Sequence, residues 1–318
     1  ISERSMKMKK NVLLWPLLCL LVTSCSLFPL QFVAYHDYVE IPSQPAATVK
    51  DNYYIPEAYS GDYTTEFRSH KWETERTINL RSTGRQNLLV IPVEVSDYPA
   101  SGLEAGIEGS RILIQNAFFG KANKTQWESV ASYYNQSSYG RLVLGGSVSE
   151  WYPSGYSVNQ LSTLANNKGK TYVSELVLQE AVEWYKSTHD DIADFDLDED
   201  GFVDAVYLIY SSPYASRSSL FWAYTSFDTG NIGSEHLGDP IANAYAWSSF
   251  DFLNVYNNKP DAHTLIHESG HLFGLADYYN TSSAVLAAAE NTLDYGNTYG
   301  PTGRVDMMDY SVGDHTVY

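Results

Sequence analysis

The sequence has little cysteine and little positive charge, and each shortage narrows the kind of protein it can be. Two cysteines in 318 residues allow one disulfide at most, so a disulfide framework cannot be what stabilises the fold. Only 20 Lys and Arg stand against 38 Asp and Glu, a formal net charge of −18. A surface this acidic is repelled by phosphate backbones and anionic lipids, so we expect neither a nucleic-acid partner nor charge-driven membrane binding.

A long transmembrane run is also missing from the start of the chain, where an apolar run covers only residues 12–22. Eleven residues are too few to cross a hydrocarbon core of about 30 Å. Three lysines between residues 7 and 10 precede the run, which is the arrangement of a secretory signal peptide. We therefore predict that residues 1–24 are a signal peptide and that the protein is exported.

The signal peptide would end at Val22-Thr23-Ser24-Cys25, which resembles a bacterial lipobox. Cleavage before Cys25 would leave a lipid on this residue, giving a cell-surface lipoprotein; a secreted protein whose signal peptide contains a Cys by chance is the alternative. Cys19 would leave with the signal, so the mature chain would form no disulfide. It would carry a net charge of −21, since residues 1–24 contain four bases and one acid and leave 16 Lys and Arg against 37 Asp and Glu.

The most informative segment is HESGHLFGLAD, residues 267–277. On a helix, residues four apart lie one turn above each other, so His267 and His271 would present their rings to one point. Glu268 would project beside them, where a carboxylate can take a proton from water at a metal. This spacing predicts a catalytic zinc site.

Two further residues extend the motif. Gly274 can adopt a positive φ, which ends the helix and turns the chain back, so that Asp277 can approach the metal as a third ligand. Two His and one Glu at these offsets arise by accident in roughly one chain in a hundred, and the added Gly and acid reduce this by a further factor of order a hundred. The alternative is an amphipathic helix with two His on its polar face and a solvated Asp after its end.

The run HESGHLFGLADYY, followed by VDMMDYSVGDH at residues 305–315, resembles the immune inhibitor A family of secreted bacterial zinc metallopeptidases, which are metzincin-like zincins. The resemblance implies that His267, His271 and Asp277 are the zinc ligands. It also implies that Glu268 is the catalytic base.

The same resemblance assigns roles to two residues near the end of the sequence. Met308 would lie in the tight turn beneath the metal, and Tyr310 would stabilise the oxyanion. The alternative for Tyr310 is one more aromatic among 26 tyrosines. The resemblance covers about residues 86–318, and the family's domain would be expected to continue beyond Tyr318. The sequence thus predicts a tether or propeptide-like segment at residues 25–85 and a zincin catalytic domain, incomplete at its C-terminus, at residues 86–318.

A second candidate for the third ligand is Glu290, nineteen positions after the second histidine of the motif. Glu290 and Asp294 resemble the pair of acids that thermolysin-like enzymes place on a second helix. Such enzymes do not need Gly274 and Asp277, and they leave the Met308 turn unexplained. Asp277 is therefore the favoured ligand.

Part of the acidity follows the pattern of a calcium loop. Positions 1, 3, 5, 6 and 9 of such a loop correspond to Asp196, Asp198, Asp200, Gly201 and Asp204. A tyrosine replaces the bidentate Glu of an EF-hand at position 12, and residues 205–210 indicate a buried strand rather than an exiting helix. We predict a short calcium-stabilised turn that enters a strand; a solvated acidic loop is the alternative.

The periodicity predicts an α/β fold, and the resemblance implies a zincin-type twisted mixed sheet with backing helices, an active-site helix and a short C-terminal Met-turn segment. Strands are predicted at residues 88–95 and 205–210, and a strand or hairpin at 141–151. Helices are predicted at residues 108–119, 127–135, 170–186 and 262–273, the last being the active-site helix with Asp261 as its cap.

Two of these segments should define the layers of the fold. The helix at residues 170–186 has apolar residues at helical spacing, so it should pack on one face of the sheet and leave the other face to the active-site helix; these residues are Val173, Leu176, Val177 and Ala181. Residues 244–250 form either the edge strand above the cleft, to which an extended substrate can add as a further strand, or an interior strand.

These observations predict an exported zinc-dependent endopeptidase that hydrolyses protein or peptide substrates with Glu268 as general base. The alternative is a non-catalytic cell-surface binding lipoprotein on a zincin scaffold. The intact Glu268 between two intact histidines favours the enzyme, since a site without turnover has no physical need for all three. The expected cofactors are zinc and calcium, and the sequence indicates no particular oligomeric state.

Overall fold

The apolar run at residues 88–95 lies at the centre of the sheet. The computed structural model describes residues 80–216, 219–228, 238–277 and 306–309, and in it this run forms most of strand β1, Gly84–Glu94. The strand begins four residues earlier than predicted because polar Gln86 and Asn87 are also buried in the sheet. Side chains 88–91 are buried on both faces, as expected where helices cover a parallel sheet on both sides.

Five further strands complete the sheet. They are β2 Leu142–Val148, β3 Tyr152–Pro153, β4 Ala205–Tyr210, β5 Tyr224–Phe227 and β6 Ala244–Ser249. The order is β2-β1-β4-β6-β5, and β3 pairs with β1 beyond the end of β2. Every pair is parallel except β5 with β6. The described residues therefore form an α/β fold with a mixed, mostly parallel sheet, which confirms the predicted class.

Five α-helices lie on the two faces of the sheet in the described ranges. They are α1 Gly106–Phe119, α2 Val130–Ser137, α3 Val158–Lys168, α4 Lys170–Thr188 and α5 His263–Leu272. Helices α1, α2 and α5 share one hydrophobic core with the sheet, and α3 and α4 share the other. Among the described residues, no helix combines the length and the apolar character needed to cross a membrane.

The predicted backing helix is confirmed as α4. Val173, Val177 and Ala181 are buried against the sheet as expected, whereas Leu176 is only half-buried and Leu178 takes its place in the core. The predicted active-site helix is α5, and it lies on the opposite face, as the sequence also predicts.

Two element boundaries differ from the prediction for local reasons. Helix α2 begins three residues later than expected because Ser129 caps it: the Ser132 amide donates to Ser129 Oγ at 3.1 Å, and the Ser129 amide donates to Ser132 Oγ at 2.9 Å. Residues 141–151 form no hairpin, since β2 and β3 both run parallel to β1.

The strand at the edge of the sheet is not the one formed by residues 244–249. Residues 244–249 form β6, which lies between β4 and β5, so the interior alternative is correct. The last strand of the described sheet is β5, four half-buried residues that run antiparallel to β6. Ala244 and Ala246 of β6 belong to the core beneath α5, where small side chains let the helix approach the sheet closely.

Candidate metal centre

The helix that carries the HESGH motif begins beside the predicted cap. Asp261 Oδ1 accepts the backbone N–H of His263 at 2.9 Å, although Ala262 occupies the cap position itself. Helix α5 therefore starts one residue later than predicted and ends one residue earlier. The carboxylate of Asp261 satisfies one of the amides that a helix N-terminus leaves without an intrahelical partner.

The end of α5 is the turn that the glycine predicts. Gly274 has φ of 82°, its amide donates to the carbonyl of His271 at 2.9 Å, and the amide of Leu275 donates to the carbonyl of Gly270 at 3.0 Å. These two bonds form a Schellman motif, for which a residue in the left-handed region is required. The chain reverses here, and Asp277 is brought back to the face of the helix that carries the two imidazoles.

Three donor atoms converge at this point. Asp277 Oδ1 lies 3.1 Å from His267 Nε2 and 3.3 Å from His271 Nε2. The two rings are nearly perpendicular, with centroids 4.9 Å apart. Bonds of 2.0–2.1 Å to a tetrahedral zinc ion place two ligand atoms about 3.4 Å apart, so the separations measured here fit that ion.

The opposite nitrogen of each ring fixes the orientation of the donors. His267 Nδ1 bonds the carbonyl of Met307 at 2.8 Å, and His271 Nδ1 bonds the carbonyl of Leu275 at 2.8 Å. A carbonyl can only accept, so Nδ1 donates in both rings, and in the neutral ring Nε2 keeps the lone pair that a metal binds. Outer bonds of this kind are what orient histidine ligands in zinc proteins, and the residues present therefore fit zinc.

The pKa values of His267, His271 and Asp277 depend on one another because the three side chains are hydrogen-bonded. Burial lowers the pKa of each imidazole, but the hydrogen bond to Asp277 and the charge of Glu268 outweigh it, so the pKa of His267 is raised and that of His271 rises to about 9. Burial acts to raise the pKa of Asp277, yet hydrogen bonds to both rings hold it well below its usual range. Asp277 thus attracts positive charge to the point where the rings meet, and a metal ion would replace the ring protons there.

The carboxylate beside the donors is enclosed. Glu268 is only 6% exposed, and burial raises its pKa, although the nearby charges of His267 and His271 and a hydrogen bond from Thr225 offset part of this rise. The hydroxyl of Thr225 lies 2.9 Å from Glu268 Oε2. Thr225 belongs to β5, so the edge strand contacts the general base that the sequence predicts.

Two buried tyrosines hold α5 from below, and sequence reasoning gave neither of them a role. The hydroxyl of Tyr134, in α2, donates to the carbonyl of Ile266 at 2.7 Å, and that of Tyr207, in β4, donates to the carbonyl of Leu265 at 2.9 Å. Tyr207 also bonds Ser269 Oγ at 3.1 Å. These bonds fix the height of the helix above the sheet.

The turn at residues 306–309 lies against the same helix. The Met308 amide donates to Asp306 Oδ1 at 2.8 Å, and the Asp309 amide donates to the Asp306 carbonyl at 3.1 Å. Met308 is buried, and a Cβ added to Gly270 would overlap with its sulfur atom. The methionine therefore packs directly against α5; its place beneath a metal, which the resemblance implies, stays a prediction. The carbonyl of the preceding Met307 orients a donor ring, a role that no sequence signal indicated.

The other residues predicted for this site lie outside the described residues. These are Tyr310, the oxyanion candidate, and Glu290, the alternative third ligand. The lipobox residue Cys25 also lies outside them. Asp277 is the described acid that the fold brings to the two imidazoles.

The predicted calcium loop is also folded around its acids. One carboxylate oxygen from each of Asp196, Asp198 and Asp204 lies within 4.8 Å of the others, and Gly201 has the positive φ, 86°, of the expected sharp turn. Asp196 accepts the Asp200 and Gly201 amides at 2.9 and 3.0 Å. The loop leads into β4, as predicted.

Asp200 has a second task in the loop besides its predicted role as a ligand, which stays a prediction. Its Oδ1 accepts the amide of Phe202 at 2.9 Å and closes the turn, while the other three acids form the group described above. Burial and the charge of Asp198 raise its pKa to about 7. Asp198 itself pairs with Arg81 at 2.9 Å, so the loop already has one positive partner.

No protein-family model matches the chain, and no curated protein matches it at a significant level.

Proposed function

We propose that the chain is an exported zinc-dependent endopeptidase. The observation that carries the proposal is the convergence of His267 Nε2, His271 Nε2 and Asp277 Oδ1, with separations that suit a tetrahedral metal. Both rings are oriented by carbonyls, and a buried carboxylate, Glu268, lies next to them. Three protein donors leave a fourth position open, which is typical of catalytic rather than structural zinc.

The proposed fold type is that of the metzincin-like zincins, and the proposed family is immune inhibitor A. Three features support it besides the motif: α5 lies on the sheet opposite the backing helices, Met308 packs beneath α5, and an antiparallel strand ends the sheet beside α5. The sequence resemblance rests on the residues of the two motifs, whereas these features describe how the chain packs around them.

The residues of the site have separate tasks in peptide hydrolysis. Zinc held by the three donors would supply Lewis acidity, which polarises a carbonyl and lets water ionise near neutral pH. Glu268 would accept the proton of the attacking water and return it to the leaving nitrogen, so no covalent enzyme intermediate is needed. An extended peptide can add as a further strand to β5, which places its backbone beside Glu268.

A non-catalytic binding lipoprotein is the alternative function. The burial of Glu268 disfavours it, because an enclosed carboxylate costs free energy and has no use in a surface that only binds a partner. The proposed location is the cell surface, through a lipid on Cys25, or the secreted fraction.

The proposal is tested by zinc analysis and digestion of casein or a peptide library by the purified chain. We expect about one zinc per chain and cleavage that stops when a zinc-selective chelator is added and resumes when zinc is restored. Cleavage that survives complete removal of zinc would contradict the mechanism. A zinc-loaded chain that cleaves nothing would favour the binding protein.

Asp277→Ala is the matched variant for this experiment, with Asp261→Ala as its control. Asp277→Ala removes one of the three donors, so its zinc content and its activity should fall together. Asp261 is an acid at the other end of the same helix, so its replacement should leave zinc content unchanged apart from some loss of stability. Full zinc occupancy in Asp277→Ala would instead favour Glu290 as the third ligand.

We also propose that the loop at residues 196–204 binds calcium. Burial raises the pKa of both Asp196 and Asp204, although backbone amides donate to each carboxylate, so a cation at this point would offset the cost of burying their charge. Calcium would bind the folded state selectively, so millimolar calcium should raise the melting temperature by on the order of 5 °C over chelator. Asp196→Asn should abolish most of the increase. An unchanged melting temperature in the wild-type chain would contradict calcium binding by the loop.

A further inference from the structure

One hydroxyl forms the hydrogen bonds that link the edge strand to the active-site helix in the described part of the chain. Thr225 Oγ1 lies 2.9 Å from the backbone oxygen of Glu268 and 2.9 Å from Oε2 of the same residue. Within the described residues, Thr225 is the one hydrogen-bond donor to this buried carboxylate. In β5, Thr225 pairs with Ala246 of β6, whose small side chain lies in the core beneath the helix. Because the side chain of Ala246 is small, it does not block the contact between Thr225 and α5.

We propose that Thr225 is a positioning residue that gives the two carboxylate oxygens of Glu268 different tasks. The hydroxyl holds Oε2, and Oε1 is the oxygen that exchanges the proton with water and with the leaving nitrogen. This inference rests on the proposed function, since it concerns the base of that reaction. Its basis is the pair of equal distances from one hydroxyl to two acceptors on one residue.

The hydroxyl of Thr225 can bond Oε2 in both protonation states of Glu268. A hydroxyl has one hydrogen to donate and lone pairs with which to accept. While Glu268 is a carboxylate, Thr225 donates to Oε2; once Oε1 holds a proton, Oε2 is the carbonyl oxygen of the acid and still accepts from the same hydroxyl. The side chain is thus restrained through both halves of the proton transfer, which favours a fixed geometry for the reacting oxygen.

The residue type adds to the restraint. Threonine is branched at Cβ, so its χ1 angle is stiff on a strand, and its hydroxyl is aimed more firmly than that of serine. The same hydroxyl bonds the helix backbone at Glu268, so it also sets the distance between β5 and α5. A peptide added to β5 would therefore lie at a fixed distance from the base.

The first test compares Thr225→Val with Thr225→Ser in the zinc-loaded chain. Valine has the shape of threonine without the hydroxyl, so kcat should fall about 10- to 100-fold while KM stays within about twofold and zinc content is unchanged. Serine keeps the hydroxyl and should restore kcat to within about threefold of the wild-type chain. A wild-type kcat in Thr225→Val would overturn the proposal. So would a loss that serine does not restore, or one that follows lost zinc.

The second test does not depend on activity. A double-mutant cycle on unfolding combines Thr225→Val with Glu268→Ala at equal zinc concentration. If the hydroxyl bonds the carboxylate, Thr225→Val should lower the melting temperature less in the Glu268→Ala background, by on the order of 2 °C. Strictly additive effects would overturn the proposal.

The two tests separate this inference from the proposed function. If the chain proves to have no peptidase activity, the proposed function fails, and the cycle alone decides whether Thr225 holds Glu268. If the chain is active and the effects are additive, the function stands and Thr225 is not its positioning residue.

Discussion

Glu268→Gln should bind zinc normally and lose about 10³-fold in kcat/KM. Glutamine has the size of glutamate and can still accept from the hydroxyl of Thr225, so the helix and the three donors should keep their places. It cannot take a proton from water, and general-base catalysis is worth about 10² to 10⁴ in rate. The measurement is steady-state cleavage of one peptide by both proteins, with zinc content determined on the same samples.

The matched control for this variant is Glu180→Gln. Glu180 is also bonded by a hydroxyl, that of Tyr156 at 3.0 Å, but it belongs to α4 on the opposite face of the sheet. The same chemical change there should leave kcat/KM within about twofold. A Glu268→Gln protein that keeps its zinc and cleaves at the wild-type rate would remove Glu268 from the mechanism.

Gly270→Ala is expected to destabilise the protein and weaken zinc binding about tenfold. In an exposed helix this change would stabilise, because alanine is the better helix former by about 1 kcal/mol. Here the new methyl group would overlap with the sulfur of Met308, and the Tyr134 hydroxyl would lie 3.1 Å from it. Overpacking a core costs about 1–3 kcal/mol, so the melting temperature should fall by about 5 °C.

Zinc binding should weaken because Met307, the residue before Met308, orients one of the proposed zinc ligands. If Met308 moves, Met307 moves with it, and the carbonyl of Met307 holds the ring of His267. Outer partners of this kind are worth about 10- to 100-fold in metal affinity.

A second substitution makes the prediction about Gly270 sharper. In a Met308→Ala background the overlap with sulfur is gone and the contact with the Tyr134 hydroxyl remains, so Gly270→Ala should cost much less stability there. Melting curves and zinc titrations of the four proteins in this cycle give the answer. A Gly270→Ala protein as stable as the wild-type chain, with unchanged zinc affinity, would show that Met308 is not packed tightly under α5.

The parts of the site that could be predicted are those set by local spacing. The meeting of His267, His271 and Asp277 follows from one helical turn and one glycine with a positive φ, all within residues 267–277. The loop at residues 196–204 likewise turns at its glycine and enters a strand as its pattern indicates. In each case the residues that interact are near neighbours in the chain, so the geometry of one turn decides the outcome.

The parts that could not be predicted depend on distant pairings. Thr225 meets Glu268 across 43 positions, and Tyr134 meets Ile266 across 132. These contacts exist because β5 lies beside β6 and α2 lies beside α5, and neither neighbour relation leaves a periodic signal in the sequence. The edge position of β5 was missed for a related reason: it has four residues, too few to show a period.

The Schellman turn after α5 has a consequence for how metal uptake and folding are related. All three donors fall within eleven consecutive residues, so closing the chelate ring around a cation costs little chain entropy. An isolated helix this short is marginal in water, so an ion could nucleate it by joining its last turn to the returning chain. The outer bond from residues 306–309 comes from 40 positions away and forms only when that segment docks. The ion would then bind in two steps. Residues 267–277 would capture it first, and the docking of residues 306–309 would afterwards increase the affinity.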